Sequence, residues 1–288
     1  MQERLVDKLF SKLTDIPTLP SIVLQINKII KNDNISTYDI GSIIERDPSL
    51  TSKVLKFANS SYYGLSYSVN TVTRAITVLG INTIRNIALT ASVFEIFNSK
   101  KSLPFDIAGL WYHSLGCAMA SKAFISKAAH LLEEEAFICG ILHDIGKVII
   151  AQNMPDLMNR VLDEIKKGKS QSDAEKDIIG YTHSEVGALL SEKWHLPEEL
   201  CETIRFHHCP QYLDESKSLK GHPFLLYAVY AGNQISKALA LGKSTDLIVS
   251  EIDPITWSTL YISESELREI LFSIKMDFDL MLESWKLV

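Results

Sequence analysis

Eight histidines, His113, His130, His143, His183, His195, His207, His208 and His222, are the side chains of this sequence best suited to metal chemistry. Two pairs stand out by spacing. His143 is followed by Asp144 inside the apolar stretch AFICGILHDIGKVII (Ala136–Ile150), and His207 is followed directly by His208. A carboxylate inside an apolar run is costly to bury unless something pairs with it. Neutral imidazoles bind transition ions and a carboxylate bridges two of them, so a metal site is the chemistry that joins these features. In a helix around residue 144, His143 and Asp144 point about 100° apart and both reach toward one cavity. Lys147, one turn on, shares their face, and Gly146 leaves room for a ligand or a neighbouring helix. His113 and His183 come from separate segments with apolar flanks. His130, His195 and His222 read as ordinary satisfied core residues, with His195 at a helix end where a cation suits the dipole.

The elements that must position these residues read as helices, because no stretch alternates over the length of a strand. Leu5, Leu9 and Leu13 open an amphipathic helix, and Ile22–Ile30 and Tyr38–Ile44 follow. Asp47-Pro48 is a helix start, with Asp as N-cap and Pro at the first helical position. That helix should end near Asn59, before a polar, aromatic loop over Ser60–Ser68. Thr71–Leu79, Gly80 and Asn82–Phe97 have the order of a helix-turn-helix. Its second helix offers only Arg85 as a strong phosphate or base contact, so core packing is the favoured reading. Leu103-Pro104 marks a domain boundary. The small residues Ala108, Gly109, Gly116, Ala118, Ala120 and Ala123 make Asp106–Ser126 a central helix that others approach closely. Glu133–Gln152 carries the His-Asp pair and is closed by Pro155. Further helices are expected over Leu157–Ile165, Asp173–Ile179, from Thr182, from Pro197 to the His-His pair, over Pro223–Leu241, and in the tail from Ser263.

Composition narrows the function. The chain of 288 residues is 46% hydrophobic with net charge -6. Residues 1–100 hold 11 Lys+Arg against 8 Asp+Glu, and the rest hold 18 against 27. Neither part has the basic bias of a phosphate-backbone binder, which disfavours nucleic acid as a partner. Four cysteines without CxxC spacing suit a reducing cytoplasm. MQERLVDKLF lacks a signal-peptide core, and no apolar run approaches membrane-spanning length, so a soluble, cytoplasmic protein is expected.

The motif Leu142-His143-Asp144-Ile145-Gly146-Lys147 resembles the centre of the HD metal-dependent phosphohydrolases. The chain as a whole, over roughly residues 10–240, resembles the HDOD family, bacterial signalling-associated helical proteins related to HD-GYP phosphodiesterases. The resemblance rests on Leu19-Pro20, Asp47-Pro48-Ser49-Leu50, Ala58-Asn59-Ser60, Tyr63-Gly64, Ala75-Ile76 and Leu79-Gly80. Downstream it rests on the His-Asp motif, His183 with Gly187, Trp194, Pro197 and His207-His208. It implies an all-α fold, with an N-terminal bundle of about five helices (1–102) packed on an HD-like bundle (103–288) that ends in a packing helix. It further implies one or two divalent ions (Fe, Mn, Zn, Ni or Mg) on His113, His143, a bridging Asp144, His183, His207 and His208. Lys147 would lie near a substrate phosphate, so that Asp144 and Lys147 are the catalytic candidates if the site turns over. The chain departs from the HD-GYP pattern in three places. Asn233 stands where a late Asp ligand is expected, making it a weak donor. Gly109 stands where some members carry Glu, and His208 is followed by Cys209-Pro210 rather than Gly-Tyr-Pro. The resemblance therefore implies a regulatory protein that binds a protein partner, a nucleotide or a cyclic dinucleotide. The alternative is a metal-dependent phosphohydrolase acting on such a nucleotide. No receiver, diguanylate-cyclase or membrane segment is expected, so the signal would arrive by direct association.

Overall fold

The computed structural model describes residues 16–29, 36–98, 102–210 and 222–282, and among these every regular element is helical. The opening helix expected around Leu5, Leu9 and Leu13 lies outside the described residues. Contacts divide the chain into two units, Thr18–Ser99 with Phe272–Val288, and Met1–Pro17 with Lys100–Leu271.

The first unit contains α1 (Ser21–Ile29), α2 (Thr37–Ile44), α3 (Pro48–Ala58), α4 (Val72–Leu79) and α5 (Ile81–Phe97). Asp47 caps α3 as expected, its Oδ1 accepting the N–H groups of Ser49 and Leu50 at 2.9 and 3.1 Å, with Pro48 in the first turn. Gly80, at φ 88°, ends α4 and starts α5, a backbone conformation open to glycine. Every residue of α5 from Asn86 to Val93 is buried, and the helix packs on α1, α3 and α4. Two full turns of this helix are committed to the core, and its first residues, Ile81–Thr83 and Arg85, reach solvent. The loop after α3 is closed by Asn59, whose amide donates to the Val69 carbonyl at 2.8 Å and accepts the Val69 N–H at 2.7 Å.

The second unit is built around α6 (Ile107–Ala129), capped by Asp106 through the Gly109 N–H at 2.8 Å. It is followed by α7 (Glu133–Leu142), α8 (Ile145–Asn153), α9 (Pro155–Lys166), α10 (Gln171–Ile178), α11 (His183–Lys193), α12 (Glu198–Phe206), α13 (Pro223–Ala238) and α14 (Pro254–Thr259). A last helix, α15 (Glu264–Leu282), starts in this unit. The small residues of α6 do what their size suggests: α7 and α13 make the most extensive helix contacts among the described residues against it. A Cβ at Gly140 of α7 would stand 2.3 Å from the Ala118 Cα, so only glycine allows that approach. No helix among the described residues is long and apolar enough to cross a membrane.

Two expectations need correction. The stretch Glu133–Gln152 is not one helix, because it breaks at His143 and Asp144. Asp144 sits at φ -101°, ψ 3°, and its carbonyl accepts the Lys147 N–H at 3.0 Å as a new helix begins. The break re-aims consecutive side chains, which a straight helix would hold about 100° apart. Secondly, His130 and His195 are exposed, not core residues. His130 pairs with Glu133 at 2.6 Å, and His195 takes the left-handed position (φ 56°) just beyond α11.

Candidate metal centre

Three helices, one break between helices and one helix end carry the candidate residues, and all of them except Asn233 are brought together in two adjoining clusters. His113 comes from mid-α6, and His143 and Asp144 from the α7–α8 break. His183 is the first residue of α11, His207 and His208 follow the end of α12, and Asn233 lies in α13. Local chemistry sets these positions. Thr182 and Glu185 form a capping box that starts α11 at His183. Gly146 lets α8 approach α11, since a Cβ there would lie 2.0 Å from the His183 carbonyl oxygen.

The two Asp144 oxygens face two groups of imidazoles. Oδ1 lies 3.3 Å from His183 Nε2 and 4.0 Å from His207 Nε2. Oδ2 lies 3.4 Å from His143 Nε2 and 3.6 Å from His113 Nε2, and accepts a hydrogen bond from Lys147 Nζ at 2.8 Å. His208 Nε2 is 2.9 Å from His183 Nε2. One ligand atom from each of Asp144, His183, His207 and His208 falls within a 4.8 Å cluster, and His113, His143 and Asp144 form a second such cluster. Asp144 and all of these histidines except His208, which is half-buried, are closed to solvent.

These residues fit a divalent ion on two independent grounds. First, His113 Nε2, His143 Nε2, His207 Nε2, Asp144 Oδ1 and Asn233 Oδ1 are buried without a hydrogen-bond partner, an expensive arrangement for polar atoms. Secondly, the other ring nitrogen is held in four of the five histidines, His113, His143, His183 and His207. The Nδ1 atoms of His143 and His207 lie 2.8 and 2.7 Å from the carbonyl oxygens of Gly140 and Ile204. His113 Nδ1 lies 2.7 Å from Ser236 Oγ, and His183 Nδ1 lies 2.7 Å from Glu175 Oε2. A carbonyl or carboxylate acceptor keeps the proton on Nδ1 and leaves the Nε2 lone pair for a cation.

Electrostatics follow from the burial. Burial favours the ionised form of no group here, yet the neighbouring His143 and Lys147 hold the Asp144 carboxyl well below the usual carboxylate range. Burial likewise works against protonating His143, but the Asp144 carboxylate overrides it and raises the imidazole to about 10. For His113, His207 and His208 burial wins, and all three are lowered well below ordinary histidine.

Several supporting residues carry almost no sequence signal. Glu175 is fully buried and accepts both the backbone N–H and the Nδ1–H of His183, at 2.6 and 2.7 Å. Gln171 donates to Glu175 at 2.7 Å and accepts from Thr245 at 2.7 Å. The only trace in the sequence is the helical spacing of Gln171 and Glu175; their meeting with His183 depends on a chain reversal at Gly180, φ 88°. The segment 241–246 straps this face. Lys243 N–H donates to the Gly109 carbonyl at 2.8 Å, and Ser244 lies 3.4 Å from Lys147 Nζ. A Cβ at Gly109 would stand 2.8 Å from the Lys243 Cβ, so the strap fills the space a glutamate would need there.

The helical architecture and the His-Asp cluster together define an all-α protein of the HD type. Within that class the chain belongs to the HDOD domain family, whose pattern matches residues 16–210. It is similar to the crystal structure of an HDOD domain protein of unknown function from Geobacter sulfurreducens, with TM-score 0.81 and 24% identity over 98% of this chain and 97% of that one. It also resembles the structure of a candidate phosphohydrolase from Shewanella amazonensis SB2B, with TM-score 0.76 and 24% identity over 96% and 97% of the two chains. In sequence it is 29% identical over 223 residues to an uncharacterised protein of Treponema pallidum (strain Nichols). That match covers 75% of this chain and 42% of the relative, so the chain spans less than half of that protein's length.

Proposed function

We propose that this chain is a regulatory HDOD protein whose output is the binding of a protein partner or a small ligand such as a nucleotide. Its HD centre holds metal to fix the second helical unit. The observation that carries this reading is closure. Every ligand residue except half-buried His208 is buried, the strap 241–246 lies against Gly109 and Lys147, and Lys147 is engaged by Asp144 rather than turned toward an open cleft. Asn233 in place of an acidic ligand points the same way, since a neutral oxygen holds a divalent ion less firmly. The aromatic loop Ser60–Ser68, where Tyr67 is 50% exposed and bonded to Arg74, is the surface we assign to a partner.

A second reading, a metal-dependent phosphohydrolase, is favoured by the intact histidine set around one carboxylate with a lysine beside it. A bound divalent ion would act as a Lewis acid on a phosphoryl oxygen and lower the pKa of a water. Asp144 would anchor that charge, and Lys147, released from Asp144, would offset charge on a non-bridging phosphate oxygen. His183, oriented by Glu175, would keep its lone pair directed inward.

Assay of the full chain with a generic phosphodiester and with cyclic dinucleotides, in added Mn²⁺ or Fe²⁺, separates the two. The regulatory reading expects no turnover above that of Asp144→Ala. Metal-dependent turnover that disappears in Asp144→Ala would overturn it in favour of the second reading. Tyr67→Ser is expected to weaken partner capture while leaving metal content unchanged.

A further inference from the structure

The two halves of the cluster differ in ways that reach beyond the shared ligand set. Asp144 Oδ1, toward His183, His207 and His208, has no hydrogen-bond partner, whereas Oδ2, toward His113 and His143, already carries the Lys147 ammonium at 2.8 Å. Behind the Oδ1 half stands a second buried carboxylate, Glu175, bonded to His183. Behind the Oδ2 half stands a hydroxyl, Ser236, on His113; Asn233, one turn before Ser236 in α13, is buried and contributes a neutral amide rather than a carboxylate. The facing Nε2 atoms of His183 and His208, 2.9 Å apart, need a proton or a cation between them, because Glu175 keeps the His183 proton on Nδ1. One half is therefore anionic with lone pairs converging, and the other has its cation built in.

We propose that this centre holds a single divalent ion, on Asp144 Oδ1 with His183, His207 and His208. The Lys147 ammonium occupies Oδ2 in the place of a second ion. A dication on Oδ2 would share one oxygen with an ammonium, in a buried site where like charges repel with little screening. The unpartnered Nε2 atoms of His113 and His143 then suit a hydrogen-bonding water, which needs several polar partners of this kind. Lys147 is on this assignment a positioning residue: it sets how many ions bind and in which half. The proposal rests on the metal-centre reading above and gives it a stoichiometry and a location.

Equilibrium dialysis of the full chain against Co²⁺, with metal quantified per folded chain and the visible cobalt spectrum recorded, tests it. One equivalent is expected. His207→Ala should fall below about 0.2 equivalents and lose the cobalt bands, while His113→Ala should keep one equivalent and the bands. The double variant Lys147→Gln with Asn233→Asp should gain a second equivalent. Two equivalents in the unmodified chain, retention in His207→Ala with loss in His113→Ala, or a folded double variant that still binds one, would each overturn the assignment. If the double variant fails to fold, judged by helical circular dichroism, the unmodified stoichiometry and the His113/His207 contrast still decide. Binding of no cobalt by folded, unmodified chain rejects the metal centre itself, a different failure from finding two ions.

Discussion

Asp144 concentrates the energetics of the centre, because a buried carboxylate is tolerable only while its partners are present. Glu175 acts at one remove, through the tautomer of His183. Partners in this position typically change metal affinity by about 10–100-fold. Glu175→Gln should therefore weaken Co²⁺ or Zn²⁺ binding by a factor in that range and leave the helical circular dichroism unchanged, as competition with a chromophoric chelator would measure. Acidity tests the histidines. His113, His207 and His208 titrate below an unfolded histidine, so below about pH 6.5 the unfolded chain binds more protons than the folded one. Their contribution is complete above that pH and is lost as pH falls toward their folded values. His143 has the opposite sign: raised to about 10, it contributes fully below about pH 6.5 and its share is lost as pH rises toward 10. Metal-free protein should thus be most stable near neutrality and lose on the order of 1 kcal/mol per pH unit per lowered histidine on acidification. Denaturant midpoints from pH 4.5 to 9 would show it, and a flat profile would contradict the burial of these rings.

At the scale of elements, the site depends on how closely α8 and α11 approach. Gly146→Ala places a methyl 2.0 Å from the His183 carbonyl and 2.9 Å from the Gly187 nitrogen, both backbone atoms that yield only if the helices part. Overpacking of this kind costs about 1–3 kcal/mol, and here it would also shift His183. The expected outcome is a lowered urea midpoint together with weaker metal binding; loss of stability with metal affinity intact would separate the helix contact from the site. The same scale explains which elements could be read in advance. Asp47-Pro48, Thr182 and Asp106 carry their own start signals in local chemistry. The break at His143-Asp144 carries none, because apolar residues on both sides continue a helical pattern that tertiary contacts interrupt.

For the molecule as a whole, metal and folding are linked. An ion that binds only the folded chain stabilises it by RT ln(1 + [L]/Kd), about 2.7 kcal/mol at a hundred times Kd. Chelation should therefore lower the melting temperature, and Zn²⁺ or Mn²⁺ in excess should restore it in the unmodified chain but not in Asp144→Ala. Identical melts with and without chelator would remove the stabilising role. The all-α class, the helix order and the pairs His143-Asp144 and His207-His208 were legible in the sequence, and the family resemblance added His113, His183 and Asn233 to the residues to watch. Helical periodicity, caps and adjacent His-Asp and His-His pairs are local patterns that survive without a fold. Tertiary structure alone decided that Asp144 turns one oxygen to each group of imidazoles and that Lys147 sits on the second oxygen. It also decided that Glu175 backs His183 and that residues 241–246 close over the site. Those relations join residues up to about a hundred positions apart through helix packing and chain reversals, and no spacing rule along the chain encodes such distances.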